Sequence, residues 1–182
     1  LGMLTQQLEL RPSDVLGEIF MEMDLGSKWH GQFFTPYSLC QATASMMVFD
    51  LEERLKSKPF ITANEPASGG GAMLIALSEA MTTKNINFQK CLHVTAQDLD
   101  LKAIHMSYVQ LSLLGIPGIV IHGNTLLNEK RSMWYTPMHI IGGWNRKLKN
   151  DDQLHLEPIE PIELVIQNPP FGTQEVSQGT LF

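Results

Sequence analysis

FITANEPASGGGAMLIALSEAM, residues 60–81, decides the fold class of this chain. FITANEP is the pattern of a short buried strand, ending on an acidic residue and a proline that cannot extend a sheet ladder. SGGG follows, and AMLIALSEAM then reads as a helix. Strand, glycine turn and helix in direct succession form the unit from which parallel sheets are built. Gly69, Gly70 and Gly71 let the backbone turn tightly and come close to a ligand, beside the free N–H groups of a helix start. Alone, such a turn is weak evidence of a site, because many strand-to-helix turns carry glycine for steric reasons.

Working outward, the alternation repeats. CLHVTAQDLD, residues 91–100, reads as strand and acidic turn, and residues 101–115 as a helix. GIVIHGN, residues 118–124, is a third strand, and IELVIQNPP, residues 162–170, a fourth. The fold class expected is α/β, a doubly wound and mostly parallel sheet. Upstream, Val15, Leu16, Ile19, Phe20 and Met23 lie at helical spacing, with Ser13 as the expected N-cap. A loop leads to Pro36, which opens a second helix reaching residue 50 or 55. The organisation expected is an N-terminal helical segment, residues 1–55, and a core, residues 56–182. The connection at about residues 126–160 is too long for a structureless loop, so a small inserted element such as a hairpin is expected there. Trp134, Tyr135 and Trp144 are expected to pack it down rather than to meet a ligand.

Composition bounds the answer. With 182 residues, 43% hydrophobic and 18% charged, the chain can bury a core and is not of disordered composition. No apolar run approaches a membrane span and no signal-peptide pattern opens the sequence, so a cytoplasmic location is expected. Cys40 and Cys91 have no metal-ligand spacing and make no disulfide framework, so reduced thiols and no metal are expected. The net charge is −6, from 13 Lys and Arg against 19 Asp and Glu. Only Arg146, Lys147 and Lys149, with Lys130 and Arg131 upstream, form a basic cluster. A strong unaided grip on duplex DNA is disfavoured, because phosphate neutralisation dominates such binding.

The residues at the strand ends carry the chemistry. No Lys follows the glycines, so the phosphate-cradling loop is absent. Glu65 would repel phosphates but would accept from a cationic amine, which favours a ligand such as S-adenosylmethionine over a dinucleotide. Asp98 and Asp100 both stand where an acidic residue accepts from ribose hydroxyls, and Asp100 is the better helix cap. Asn124 stands where an adenine edge would lie, able to donate and accept, and it equally suits a turn after Gly123. In LVIQNPPFG, residues 164–172, the Asn168 side-chain oxygen and the Pro169 carbonyl are two acceptors for the hydrogens of an exocyclic amine. Pro169 and Pro170 would fix that loop in advance, and Phe171 offers a face for a flipped base. In isolation the same stretch is a strand stopped by prolines with a buried Phe; four ordered signals at successive strand ends make that bland reading less economical.

The set GQFFTP, EPASGGG, AQDLD and NPPFG resembles the N6-adenine DNA methyltransferase family, whose members include the methylation subunits of type I restriction-modification systems. The resemblance covers about residues 14–172. It implies the S-adenosylmethionine-dependent methyltransferase fold, Rossmann-like, with strand order 3-2-1-4, and methylation of the adenine N6 amine in DNA. It also implies a cofactor site drawn from Gln32, Phe33, Phe34, Thr35, Pro36, Glu65, Ala67, Gly69, Gly70, Gly71, Asp98, Leu99, Asn124 and Asn168. The implied catalytic loop is Asn168, Pro169, Pro170 and Phe171. Three departures stand out: Asn124 where the family has an acidic residue, a longer insert, and a sequence that stops about ten residues past the loop. The last leads to the expectation that the C-terminal strands and a DNA-recognition region, or a separate specificity subunit, are missing. A sheet edge left open would invite pairing with a second copy. Related enzymes with an NPP-aromatic loop methylate protein glutamine or RNA, and a non-catalytic, partner-dependent module is the remaining alternative.

Overall fold

The computed structural model describes residues 2–10, 12–24 and 35–154. In chain order the elements are α1 (Gly2–Leu10), α2 (Val15–Asp24), α3 (Tyr37–Met47), α4 (Leu51–Ser57), β1 (Ile61–Glu65) and α5 (Ala72–Thr83). They continue with α6 (Phe88–Cys91), β2 (Leu92–Asp98), α7 (Leu101–Leu113), β3 (Gly118–His122), β4 (Ser132–Tyr135), α8 (Pro137–Ile141) and α9 (Trp144–Leu154). The sheet runs β1-β2-β3-β4. β1 to β3 are parallel, with Ala63 opposite Val94 and Ala96 opposite Val120, while β4 returns antiparallel beside β3. This is the α/β, Rossmann-like, mostly parallel open sheet that the strand-turn-helix pattern calls for.

Period-two alternation in β2 divides the molecule into layers. Leu92, Val94 and Ala96 point to one face, where they are buried with Ile75, Leu77 and Met81 of α5 and Ile104 and Leu111 of α7. Cys40 and Ala44 of α3 close that core from outside. His93 points to the other face, against the rings of Trp144 and His139 at centroid distances of 5.2 and 5.1 Å. That second face is covered by the inserted connection. It holds a hairpin strand, β4, as the length of the connection suggests, and also the helices α8 and α9. Trp144 is fully buried, edge-on to Phe60 at 5.1 Å, so the insert is packed down by this aromatic. Thr136 anchors its hinge: the hydroxyl donates to the Ile116 carbonyl at 2.8 Å and accepts from the Gly118 N–H at 2.9 Å.

Several local expectations are corrected. Asp14, not Ser13, caps α2, because Asp14 Oδ1 accepts from the Gly17 N–H at 2.9 Å, in the first turn. The second helix is broken: the backbone leaves helical geometry at Val48 and α4 restarts at Leu51. The helices α1 and α6 lack a signal strong enough to be read beforehand. The expected fourth parallel strand and the NPPF loop lie outside the described residues, so the fourth strand of the described sheet is the antiparallel β4. Among the described residues no helix is long and apolar enough to cross a membrane.

Candidate functional site

The carboxyl ends of β1 and β2 open on one cleft of about 310 Å³, lined by Asp14, Thr35, Cys40, Glu65, Ala67, Ser68, Gly69, Gly70, Met73 and Asp98. Its floor is the glycine turn, pinned to β2 by two bonds. The Ser68 N–H donates to the Gln97 carbonyl at 2.9 Å and the Gly69 N–H to Asp98 Oδ2 at 2.8 Å. Gly71 caps α5 with φ +99°, a left-handed conformation that a side chain adopts only with strain. At Gly70 the constraint is space, since an added Cβ would stand 2.5 Å from Asp14 Oδ1. The turn is glycine because the chain twists at one position and another side chain presses on it at the next.

Three carboxylates reach this cleft from three places. Glu65 ends β1 and its Oε1 accepts from the Ala67 N–H at 3.3 Å. Asp98 ends β2, and besides Gly69 its Oδ1 accepts from the Asp100 N–H at 2.9 Å. Asp100 itself caps α7 through the Lys102 N–H at 2.9 Å, which divides the two aspartates into one at the cleft and one at the helix start. Asp14 comes from the start of α2 and is nearly buried. Gln110, fully buried in α7, joins the parts: its amide donates to Asp14 Oδ1 at 2.7 Å and to the Gly70 carbonyl at 2.9 Å, and its oxygen accepts from Leu16 at 3.0 Å. Burial raises the Asp14 carboxyl above the ordinary aspartate value, opposed by the Gln110 and Gly17 hydrogen bonds. Cys40 is raised too, by burial first and then by the charges of Asp14 and Glu65, so its thiol stays protonated at neutral pH.

A second cleft of about 370 Å³ shares Asp14 and Thr35 and continues along α2 past Gly17, Glu18, Met21 and Glu22 to Pro36 and Tyr37. Of the site residues read from the sequence, Thr35, Glu65, Ala67, Gly69, Gly70 and Asp98 line the first cleft and Pro36 the second. Gly71 shapes the turn from behind. Leu99 is half exposed and its carbonyl meets His122 Nε2 at 3.2 Å. Asn124 closes the β3–β4 turn, its Oδ1 accepting from the Leu127 N–H at 3.2 Å, and it is not among the residues lining either cleft. Gln32, Phe33, Phe34, Asn168, Pro169, Pro170 and Phe171 lie outside the described residues. Asp14, Cys40, Ser68 and Met73 were not read as site residues from the sequence. For Asp14 a signal existed, an acidic residue directly before an apolar helical stripe.

The comparisons with known proteins bear on this geometry. Residues 13–180 match the family described as N-6 DNA methylase. The chain belongs to that family. It is 27% identical over 156 residues to the type II methyltransferase M.BanIII of Aneurinibacillus aneurinilyticus, a match covering 85% of this chain and 24% of that protein. The chain therefore spans about a quarter of the length of the curated relative it matches. No solved structure matches it significantly. In this chain the cleft lies where open α/β sheets bind ligands, outside the carboxyl ends of the strands. Among the described residues no group of three or more His, Cys, Asp or Glu is placed to hold a metal ion.

Proposed function

We propose that this chain is the cofactor-binding and catalytic part of a methyltransferase that uses S-adenosylmethionine to methylate the N6 amine of adenine in DNA, in a restriction-modification or related cytoplasmic system. The observation that carries the reading is the convergence of Glu65, the glycine turn and Asp98 on one cleft, in a chain of the N-6 DNA methylase family. The residues present suit the cofactor. Carboxylates and backbone groups line the cleft, with no Lys or Arg among its described lining residues. That donor set favours a ligand with cationic and hydroxyl groups over a polyphosphate. Asp98, with both oxygens already oriented by backbone N–H groups, keeps lone pairs free for a ribose diol, and Glu65 suits a cationic end.

The chemistry supplied by the bound cofactor is an electrophilic methyl group on a sulfonium. This chain's part is to hold the amine. Asn168 Oδ1 and the Pro169 carbonyl accept its two hydrogens, which favours a pyramidal nitrogen with an available lone pair. Phe171 stacks the flipped base and Pro170 stiffens the loop. The reaction then needs positioning more than a strong base.

The test is transfer of labelled methyl groups to DNA, RNA and protein, with Asn168→Ala beside the parent chain. Label in the adenine N6 position, lost in Asn168→Ala while cofactor binding persists, is the expected result. Label in protein glutamine or RNA alone would replace the substrate, and full DNA methylation by Asn168→Ala would remove the loop from the mechanism.

A further inference from the structure

Asp14 stands where the two clefts meet, and the reaction as derived gives it no more than a place in the wall. The residue is 3% exposed. Its Oδ1 takes both available donors, Gly17 N–H and Gln110 Nε2, while Oδ2 accepts no hydrogen bond among the described residues. A carboxylate so buried is stable in its charged form only with a positive partner or more donors. None stands nearby. The groups facing Asp14 are Cys40 on α3, Glu65 at the end of β1, Asp98 at the end of β2, and Glu18 and Glu22 along its own helix. From α7 comes only the neutral Gln110. Every one of these is acidic or neutral, a lining that suits a cationic ligand.

We propose that Asp14 is a proton-coupled wall of the cofactor cleft: it holds a proton in the cofactor-free protein and releases it to solvent when a cationic cofactor enters. The inference rests on the S-adenosylmethionine reading, since that molecule brings an ammonium and a sulfonium against a single carboxylate of its own. The O–H bond at Oδ2 breaks, the proton passes to buffer, and the resulting carboxylate pairs with the incoming cation. Burial displaces the Asp14 carboxyl upward, the direction that favours its protonated form, against the Gln110 and Gly17 hydrogen bonds. Gln110 makes the group a positioning residue as well, because the same amide holds the Gly70 carbonyl. Charge on Asp14 and the shape of the glycine turn are thereby set by one side chain.

Calorimetry of S-adenosylmethionine binding to the full chain tests this, run from about pH 4.5 to 7.5 in paired buffers of unlike ionisation enthalpy. The parent chain is expected to release up to one proton per cofactor at the acid end and progressively fewer as pH rises. Asp14→Asn keeps an oxygen that caps Gly17 and meets Gln110. It is expected to bind without proton release and with affinity about tenfold weaker at neutral pH, the two chains converging at the acid end. Glu65→Gln is expected to weaken binding while retaining the release. Parent-chain binding with no buffer-dependent heat at any pH overturns the inference whether or not the variants fold. Release that persists in Asp14→Asn and vanishes in Glu65→Gln also overturns it, and leaves the cofactor reading standing. No cofactor binding by the parent chain at any pH removes that reading and the inference together.

Discussion

His93 and His139 show how far one buried contact can be read from geometry. Their rings meet through Nε2 and Nδ1 at 2.8 Å, and His139 Nε2 meets Asn145 Oδ1 at 3.0 Å. An amide oxygen only accepts, so His139 Nε2 carries a hydrogen, and in the single-hydrogen tautomer of that ring its Nδ1 accepts while His93 Nε2 donates. Both residues are buried. Burial, and then the neighbouring His139, hold His93 down to about 4 against an ordinary 6.5. Between those values the unfolded chain binds the proton that the folded one refuses. Stability is therefore full above about pH 6.5, falls as pH drops toward 4, and loses nothing more from this group below that. The loss is on the order of 3 kcal/mol, at 1.4 kcal/mol per unit. Denaturant midpoints across this range should show the descent, and His93→Gln, which keeps a donor for His139, should flatten it. Parallel profiles for the two chains would assign the acid sensitivity elsewhere.

At the scale of elements, the glycine turn was legible throughout, while of the insert only the hairpin and its aromatic anchor were, for opposite reasons. Residues 60–81 announce strand, turn and helix because each local preference agrees with the final geometry. Gly71 sits at φ +99° and an added Cβ would also stand 3.1 Å from Ser107 Oγ. Gly71→Ala should cost about 1–3 kcal/mol in chemical denaturation and weaken cofactor binding with it. A neutral Gly71→Ala would mean that the turn tolerates another conformation. The insert hides its role because α9, WNRKLKNDDQL, is polar nearly all round and buries one large anchor, Trp144, at its first position. Helical periodicity has little to detect there, and the partner of Trp144 on β2 is a histidine, which reads as a surface residue. Asp14 escaped for a third reason. Ser13 and Asp14 are adjacent and both suit an N-cap, and what distinguishes them is the bond from Gly17 together with the long-range one from Gln110, 96 residues away. Asn124, by contrast, offers two uses in sequence, and its visible one is the turn.

At the scale of the whole molecule, charge decides how this chain can meet DNA. It carries a net −6, and the walls of its cleft contribute Asp14, Glu65 and Asp98. Several of its cations are already engaged: Arg131 with Glu129 at 3.0 Å, Lys56 with Glu53 at 2.7 Å, and Lys147 over the Trp144 ring at 4.1 Å. Phosphate neutralisation supplies most sequence-independent affinity, so few released counterions mean a weak and nearly salt-insensitive complex. Fluorescence anisotropy with a short labelled duplex at physiological salt should give a Kd weaker than about 10⁻⁶ M, with methylation rates rising linearly with DNA concentration. The chain spans 24% of the curated relative, so added surfaces or a basic partner subunit are the expected source of tight binding, which should then restore a steep salt dependence. Nanomolar retention by this chain alone, falling sharply with salt, would instead require a basic face beyond the described residues. The acidic cleft would then act as a filter that admits a neutral base and the cationic cofactor while holding the phosphate backbone at its rim.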